Sequence, residues 1–193
     1  MDGKTGWPWT RVTPCFPSQA SNESGWPKIS IVTPSLNQGQ FIEETIRSVL
    51  LQGYPNLEYI IIDGGSTDDT VEIIKKYSTW LHYWVSEPDL GQSNAINKGF
   101  ERASGELFAY INSDDFYEPD AFVTVAHAFR SPERPELIIG DCIIFDGSLT
   151  KRIFKARWPD RIDHFLKPFG SIFAQPAAFW SRNIYERVRG FDE

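Results

Sequence analysis

Leu107-Phe108-Ala109-Tyr110-Ile111-Asn112-Ser113-Asp114-Asp115 is an apolar run that stops at two adjacent carboxylates. Five of its first six residues are β-formers or small apolar residues, the composition of a buried strand. Such a strand delivers Asp114 and Asp115 into a crevice at its carboxyl end, where ligands of open α/β sheets bind. Two carboxylates there repel each other and lose solvation, a cost that a divalent cation with oxygen ligands offsets. Taken alone, Ser-Asp-Asp favours a plainer reading, a solvated turn or the cap of a following helix. The segments on either side decide between the two.

Upstream, residues 1–27 are rich in Pro, Ser, Gly and Trp and show no apolar period. They read as an irregular lead-in, and Trp7, Trp9 and Trp26 predict that it packs on the domain and is not a free tail. Regular patterning begins at Lys28. Ile29 to Thr33 reads as a strand, Pro34 to Gln40 as a polar loop, and Phe41, Ile42, Ile46, Val49 and Leu50 recur at helical spacing. Tyr59 to Ile62 is a second strand, apolar on both faces and followed by Asp63-Gly64-Gly65-Ser66-Thr67-Asp68-Asp69. Thr67, Asp68 and Asp69 supply cap and first-turn chemistry for a helix through Val71, Ile73, Ile74 and Tyr77. Leu81 to Val85 is a third strand and Gln92 to Ala103 a third helix, stopped by Ser104-Gly105. The run that ends at Asp115 follows as the fourth strand. Strand, loop and helix alternate, so the fold class is α/β with a mostly parallel central sheet flanked by helices.

Downstream, Pro119 and Asp120 start a helix through Phe122, Val125 and Phe129. Leu137 to Phe145 and Leu149 to Phe154 read as strands joined by a turn at Asp146-Gly147. Arg161 to Leu166 reads as a short helix, Ile172 to Trp180 as a strand interrupted by Pro176, and Ser181 to Val188 as a last helix. The division is a lead-in over 1–27, a ligand-binding half over 28–135 and a second half over 136–193.

The length of 193 residues suits one domain, and a hydrophobic fraction of 41% argues against disorder. No apolar run approaches a membrane span, and Cys15 and Cys142 are too few and too far apart for a disulfide framework. With no basic-then-apolar leader visible, a cytoplasmic setting is the expectation. Residues 1–150 carry 10 Lys and Arg against 21 Asp and Glu, and residues 151–193 carry 9 against 5. The acidic part makes nucleic acid an unfavourable partner and calls for a metal if it holds a phosphorylated ligand. The basic part reads either as ordinary solvated charge or as a face toward an anionic acceptor or the inner membrane surface.

Asp63 and Asp115 leave parallel strands and are therefore expected on one sheet edge. Gly64 and Gly65 permit close backbone approach, and the next helix points its N-terminus to the same region. Neither a dinucleotide G-x-G-x-x-G nor a G-x-x-x-x-G-K-[ST] phosphate loop occurs. Asp63 reads equally as an acceptor for an N–H on a base or ribose and as a cap for its helix.

Four ordered segments resemble the family 2 glycosyltransferases with a GT-A, Rossmann-like fold. They are Ile31-Val32-Thr33-Pro34-Ser35-Leu36-Asn37, Ile62-Asp63-Gly64-Gly65-Ser66-Thr67-Asp68, the stretch from Ser86 to Gly99, and Asn112-Ser113-Asp114-Asp115. Gly170 to Glu193, ending in Gly190-Phe191-Asp192-Glu193, resembles the family's acceptor-side region. The resemblance implies that Thr33 and Ser35 lie beside a nucleotide and that Asp63 pairs with its base, typically uracil. It implies that Asp115, with Asp114, binds Mn²⁺ or Mg²⁺, that Asp114 contacts ribose or donor sugar, and that Gln92, Asn94 and Lys98 line the donor pocket. Thr33 also reads as a strand-end hydroxyl bonded to backbone, and Lys98 as a solvated helix residue. Ala95 and Ile96 read as core.

The implied reaction is metal-dependent, inverting transfer from a nucleoside diphosphate sugar, with UDP the expected nucleotide, to a saccharide, lipid-linked or other hydroxyl acceptor. Inversion needs a base for the acceptor proton. In the family that base follows the Gly-Phe-Asp-Glu segment, so the resemblance assigns no catalytic residue up to Glu193 and places the base beyond it. If these 193 residues act alone, the expectation is donor binding with little transfer. His82, His127 and His164 have neither triad nor metal-ligand spacing. The alternative is a non-catalytic nucleotide-sugar-binding module. A sugar nucleotidyltransferase is disfavoured, because Pro34-Ser35-Leu36-Asn37-Gln38-Gly39 carries no cation.

Overall fold

The computed structural model describes residues 4–10, 25–145, 151–157 and 174–192. Strands β1 (Ile29–Ser35), β2 (Leu57–Asp63), β3 (Tyr83–Ser86) and β4 (Leu107–Tyr110) are joined by helices α1 (Ile42–Leu50), α2 (Thr70–Tyr77) and α3 (Gln92–Glu101). Helix α4 (Ala121–Phe129) leads to β5 (Leu137–Ile139), then β6 (Cys142–Phe145), β7 (Lys151–Phe154), β8 (Ala178–Ser181) and α5 (Arg182–Val188). The main sheet runs β3-β2-β1-β4-β8-β5, while β6 and β7 form a separate antiparallel pair. Strands β1 to β4 pair in parallel, and β8 lies antiparallel to both neighbours.

Strands β1 and β2 are buried along nearly their whole length, which is why β2 reads as a continuous apolar run, whereas β3 at the sheet's edge is only partly buried. Alternate residues feed two cores. Ile29, Ile31 and Ile61 meet α1, α2 and α4 on one face, and Val32, Ile60 and Ile62 meet α3 on the other. Helix α3 approaches closely because Gly99 faces Val32: a β-carbon there would lie 2.4 Å from Val32 Cγ1. Asn97 of α3 clasps the end of the chain like a backbone partner, donating to the Phe191 carbonyl at 2.8 Å and accepting from the Phe191 N–H at 2.9 Å.

Two expectations change. The run Leu137 to Phe145 is not one strand: it breaks at Gly140 and Asp141, and its halves join different sheets. The Gly140 N–H bonds the Ala177 carbonyl and holds the end of β5 against β8, while the chain turns away to pair β6 with β7. Around Pro176, the residues Gln175–Ala177 form a 3₁₀ turn, and only Ala178–Ser181 is strand. The Asp146-Gly147 turn, the Arg161 to Leu166 helix, His164 and Cys15 lie outside the described residues.

The described parts of the lead-in pack as expected. Pro8 is buried, and the Trp26 ring stands edge-on to Tyr54 and His127.

Candidate functional site

Strand β1 is the axis of the site. Its last residue, Ser35, is in register with Asp63, the last residue of β2, and β4 runs along its other side toward Asp115. Asp63 and Asp115 therefore flank one strand end on one sheet edge. That juxtaposition is dictated by the strand order.

Asp63 is fully buried and its carboxylate organises the loop that follows. It accepts from the Gly65 N–H at 3.2 Å, the Ser66 N–H at 2.9 Å, the Ser66 hydroxyl at 2.5 Å and the Ser86 hydroxyl at 2.6 Å. Three of these four bonds fall on Oδ2, so Oδ1, which accepts only the Ser66 hydroxyl, retains lone-pair capacity for a further N–H donor. The adjoining loops are sewn to each other. Asn37 donates its N–H to Ser66 Oγ at 2.7 Å and accepts from the Thr67 N–H at 2.9 Å. Asp68 accepts from the Thr70 hydroxyl and the N–H groups of Gly39 and Thr70, and these bonds hold its carboxyl below the usual range. Asp68, one residue before the helix cap, thus meets the first turn of α2. Gly64 admits Asp89, whose Oδ2 would lie 2.8 Å from a β-carbon there.

Asp114 is exposed and Asp115 is half-buried. Burial pushes the Asp115 carboxyl up, the neighbouring Asp114 charge pushes it further, and an Asn112 hydrogen bond pulls it back. Among the described residues no three His, Cys, Asp or Glu side chains gather as a metal cage. The donor set still fits a cation that takes one or two carboxylates and completes its shell with water and ligand phosphate oxygens, the habit of Mg²⁺.

The loop carrying this pair is bolted to α1 and the turn that follows it by a buried polar stripe. Thr45, Ser48 and Gln52 are at most 1% exposed. Thr45 Oγ1 donates to the Asp115 carbonyl at 2.7 Å, Ser48 Oγ accepts from the Tyr117 N–H at 3.1 Å, and Gln52 Nε2 donates to the Glu118 carbonyl at 2.9 Å. From outside, Trp7 Nε1 donates to the Tyr117 carbonyl at 2.7 Å, and Arg47 of α1 donates to the Pro8 and Trp9 carbonyls. Ser48 and Trp7 thus grip the two backbone polar groups of Tyr117.

The third segment closes the crevice. Gln92 Nε2 donates to Asn112 Oδ1 at 2.6 Å, and Gln175 donates to the Tyr110 carbonyl at 2.7 Å, within reach of Asn112. Asn94 accepts from the Leu90 N–H at 3.3 Å, and Lys98 pairs with Glu87 at 2.9 Å. Ala95 and Ile96 are core, as read.

Ser35, Asp63, Gln92, Asp114 and Asp115 thus lie on one sheet edge or are linked directly to it. Thr33 differs: it is fully buried and its hydroxyl meets the Tyr59 phenol at 3.1 Å. Ser35 Oγ and the Tyr117 hydroxyl are buried, and neither meets a hydrogen-bond partner among the described residues. Asn112, Gln175, Ser66, Ser86 and the α1 stripe were not legible as site residues. Asn112, Ser66 and Ser86 fall within the quoted segments without being singled out, and the stripe left its own signal, polar residues three and four apart on a face that is otherwise apolar.

The glycosyl transferase family 2 model matches residues 30–189, and the chain belongs to that family. Relatives include the putative teichuronic acid biosynthesis glycosyltransferase TuaG of Bacillus subtilis, 40% identical over 49% of this chain and 38% of its own length. The uncharacterized glycosyltransferase Rv1514c of Mycobacterium tuberculosis is 38% identical over 86% of this chain and 63% of its own. The chain therefore spans less than two thirds of these relatives. Among solved structures, Staphylococcus aureus TarS 1-349 in complex with UDP-GlcNAc aligns with a TM-score of 0.65 at 20% identity, over 86% of this chain and 48% of that one. The mannosyltransferase PcManGT of Pyrobaculum calidifontis, in complex with GDP-Man and Mn²⁺, aligns with a TM-score of 0.62 at 20% identity, over 95% of this chain and 51% of that one. These likenesses establish the GT-A arrangement of a mostly parallel sheet flanked by helices. Among the described residues, no helix is long and apolar enough to cross a membrane.

Proposed function

We propose that this chain binds a nucleoside diphosphate sugar, with UDP the preferred nucleotide, and belongs to an enzyme that transfers the sugar to a hydroxyl acceptor. The observation that carries the reading is the pair of acidic sites, Asp63 and Asp115, on either side of the β1 end. In this reading residues 28–135 form the donor half and 136–193 belong to the acceptor half.

Asp63, fixed by its loop, presents Oδ1 to an N–H of the base, and the neighbouring Ser35 hydroxyl meets the nucleoside. Asp114 contacts ribose or sugar. Gln92 and Asn94 line the sugar side, with Lys98 behind them on Glu87. Thr33, spent on Tyr59, supports the wall and stays off the ligand. Asp115 and Asp114 would hold Mn²⁺ or Mg²⁺, which when bound shields the charge that develops on the leaving diphosphate. In the transfer, the acceptor oxygen attacks the anomeric carbon from the face opposite the diphosphate. The C–O bond to the diphosphate breaks with its electron pair, and the hydroxyl proton passes to a base. We place that base in the segment that follows Gly-Phe-Asp-Glu in the family pattern.

Titrating UDP, UDP-sugars and GDP-sugars against melting temperature, with and without Mn²⁺, tests the reading. A ligand that binds only the native state must stabilise it. A Mn²⁺-dependent rise, lost in Asp115→Ala, is the expected outcome; no rise with any nucleotide would refute it. A module that binds donor without transferring it shares all these contacts, and turnover of the donor separates the two.

A further inference from the structure

We propose that a second, apolar cavity beside Asp115 binds the aglycone of a neutral lipophilic acceptor, an alkyl or aryl group attached to the hydroxyl-bearing part. The assignment rests on the donor reading above, in which the diphosphate and sugar of the donor lie at the Asp114 and Asp115 pair.

The cavity encloses about 490 Å³ and begins at Asp115 and Phe116. That volume falls in the range of small-molecule sites. It runs between α4 and the β6–β7 hairpin, over Ile138 and Phe179. Ile143 and Ile153 stand opposite each other on the hairpin, with Phe145 two residues along, and they are 36%, 63% and 48% exposed. A two-stranded ribbon is marginal in water by itself, so large apolar side chains on its open face call for an occupant. The Phe145 ring packs 5.5 Å from that of Phe116, which joins the hairpin directly to the residue after Asp115. The apolar surface is therefore continuous with the carboxylate end of the site.

Charge narrows the occupant. Asp115, Glu118, Asp120 and Asp141 are among the lining residues, and among the described residues no Lys, Arg or His lines it. A phosphate-bearing acceptor would meet repulsion with no counter-charge among the described residues, and an anionic membrane surface would be disfavoured likewise. A neutral apolar group gains from burial and suffers neither cost.

Isothermal titration of the full chain with methyl, butyl, hexyl and octyl β-D-glucopyranosides below their micelle concentrations tests this, with octyl phosphate as the anionic counterpart. Expected are one site per chain, affinity rising about fourfold per added methylene, and octyl phosphate binding more weakly than octyl glucoside. Ile153→Glu, on an exposed face, should keep the circular dichroism of the parent and weaken octyl glucoside at least about tenfold, the effect of losing two or more buried methylenes. Affinity independent of chain length, full retention in the folded Ile153→Glu variant, or tighter octyl phosphate would each overturn the proposal. So would octyl glucoside binding that falls as sedimentation shows a dimer forming, because a second copy would then be the occupant. The titrations contain no nucleotide, so their failure is a separate result from failure of the UDP and Mn²⁺ experiment.

Discussion

At the scale of the residue, two carboxylates with opposite shifts show how the surroundings of a charge decide its effect. Glu58 is 2% exposed at the amino end of the sheet. Burial pushes its carboxyl up, but bonds from Ser30, the Ser104 N–H and the Ser104 hydroxyl, with His82 nearby, bring it below 4.5 overall. Its folded value is lowered, so its contribution is present above 4.5 and is lost as pH falls through the folded value. Glu58→Ala leaves three donors unmet and should cost about 2–4 kcal/mol of unfolding free energy at neutral pH, measured by urea denaturation. Asp115 is raised, and the sign reverses: its ionised form costs stability, a penalty that sets in as pH rises above 3.8 through the folded value. Unliganded Asp115→Asn should therefore melt higher than the parent at pH 7 and match it below pH 3.8, while losing the Mn²⁺-dependent response to UDP. The first half of that pattern distinguishes a binding carboxylate from a structural one.

Among the elements, α1 carries more of the site than its apolar period discloses. Ser48→Ala removes the acceptor for the buried Tyr117 N–H and should cost about 1–3 kcal/mol. Because that bond sets the loop behind Asp115, UDP affinity in Mn²⁺ should weaken as well, and Ser48→Thr, which keeps the hydroxyl, should recover part of it. Gly99→Ala probes packing instead. Its new methyl would meet Val32, so α3 must shift from β1, at about 1–3 kcal/mol in denaturation experiments. The alternation of β1 to β4 with α1 to α3 was legible because each element has a local period and the parallel topology follows from alternation. The break within Leu137 to Phe145 was signalled only by the Gly140-Asp141 pair, which inside an apolar run reads equally as a bulge, and the division itself is made by a bond to Ala177, far along the chain. Asp63 and Asp115 were placed on one edge from strand direction alone. The buried fate of the Thr33 hydroxyl depends on Tyr59, one strand away, which no spacing within β1 reveals.

For the whole molecule, the lead-in lies outside the family-matched span of 30–189, yet it grips the loop behind the carboxylate pair. Trp7→Phe keeps the ring and removes the donor to Tyr117. We expect a loss of about 0.5–1.5 kcal/mol in stability, together with weaker Mn²⁺-dependent binding of UDP by calorimetry. Unchanged nucleotide affinity at reduced stability would limit the lead-in to a structural role.

The order β4-β8-β5 also imposes a sequence of events on synthesis. Strand β8 sits between two strands that precede it, and β5 has no place in the main sheet until β8 arrives. As the chain leaves the ribosome, the β4 edge stays open through more than sixty residues, from Tyr110 until Ala178 emerges. An open edge of a half-formed parallel sheet is a template for pairing with another chain. Nascent chains halted short of Ala178 are thus the species in which this fold is most exposed to aggregation, and the last few residues of the sheet are the ones that end that exposure.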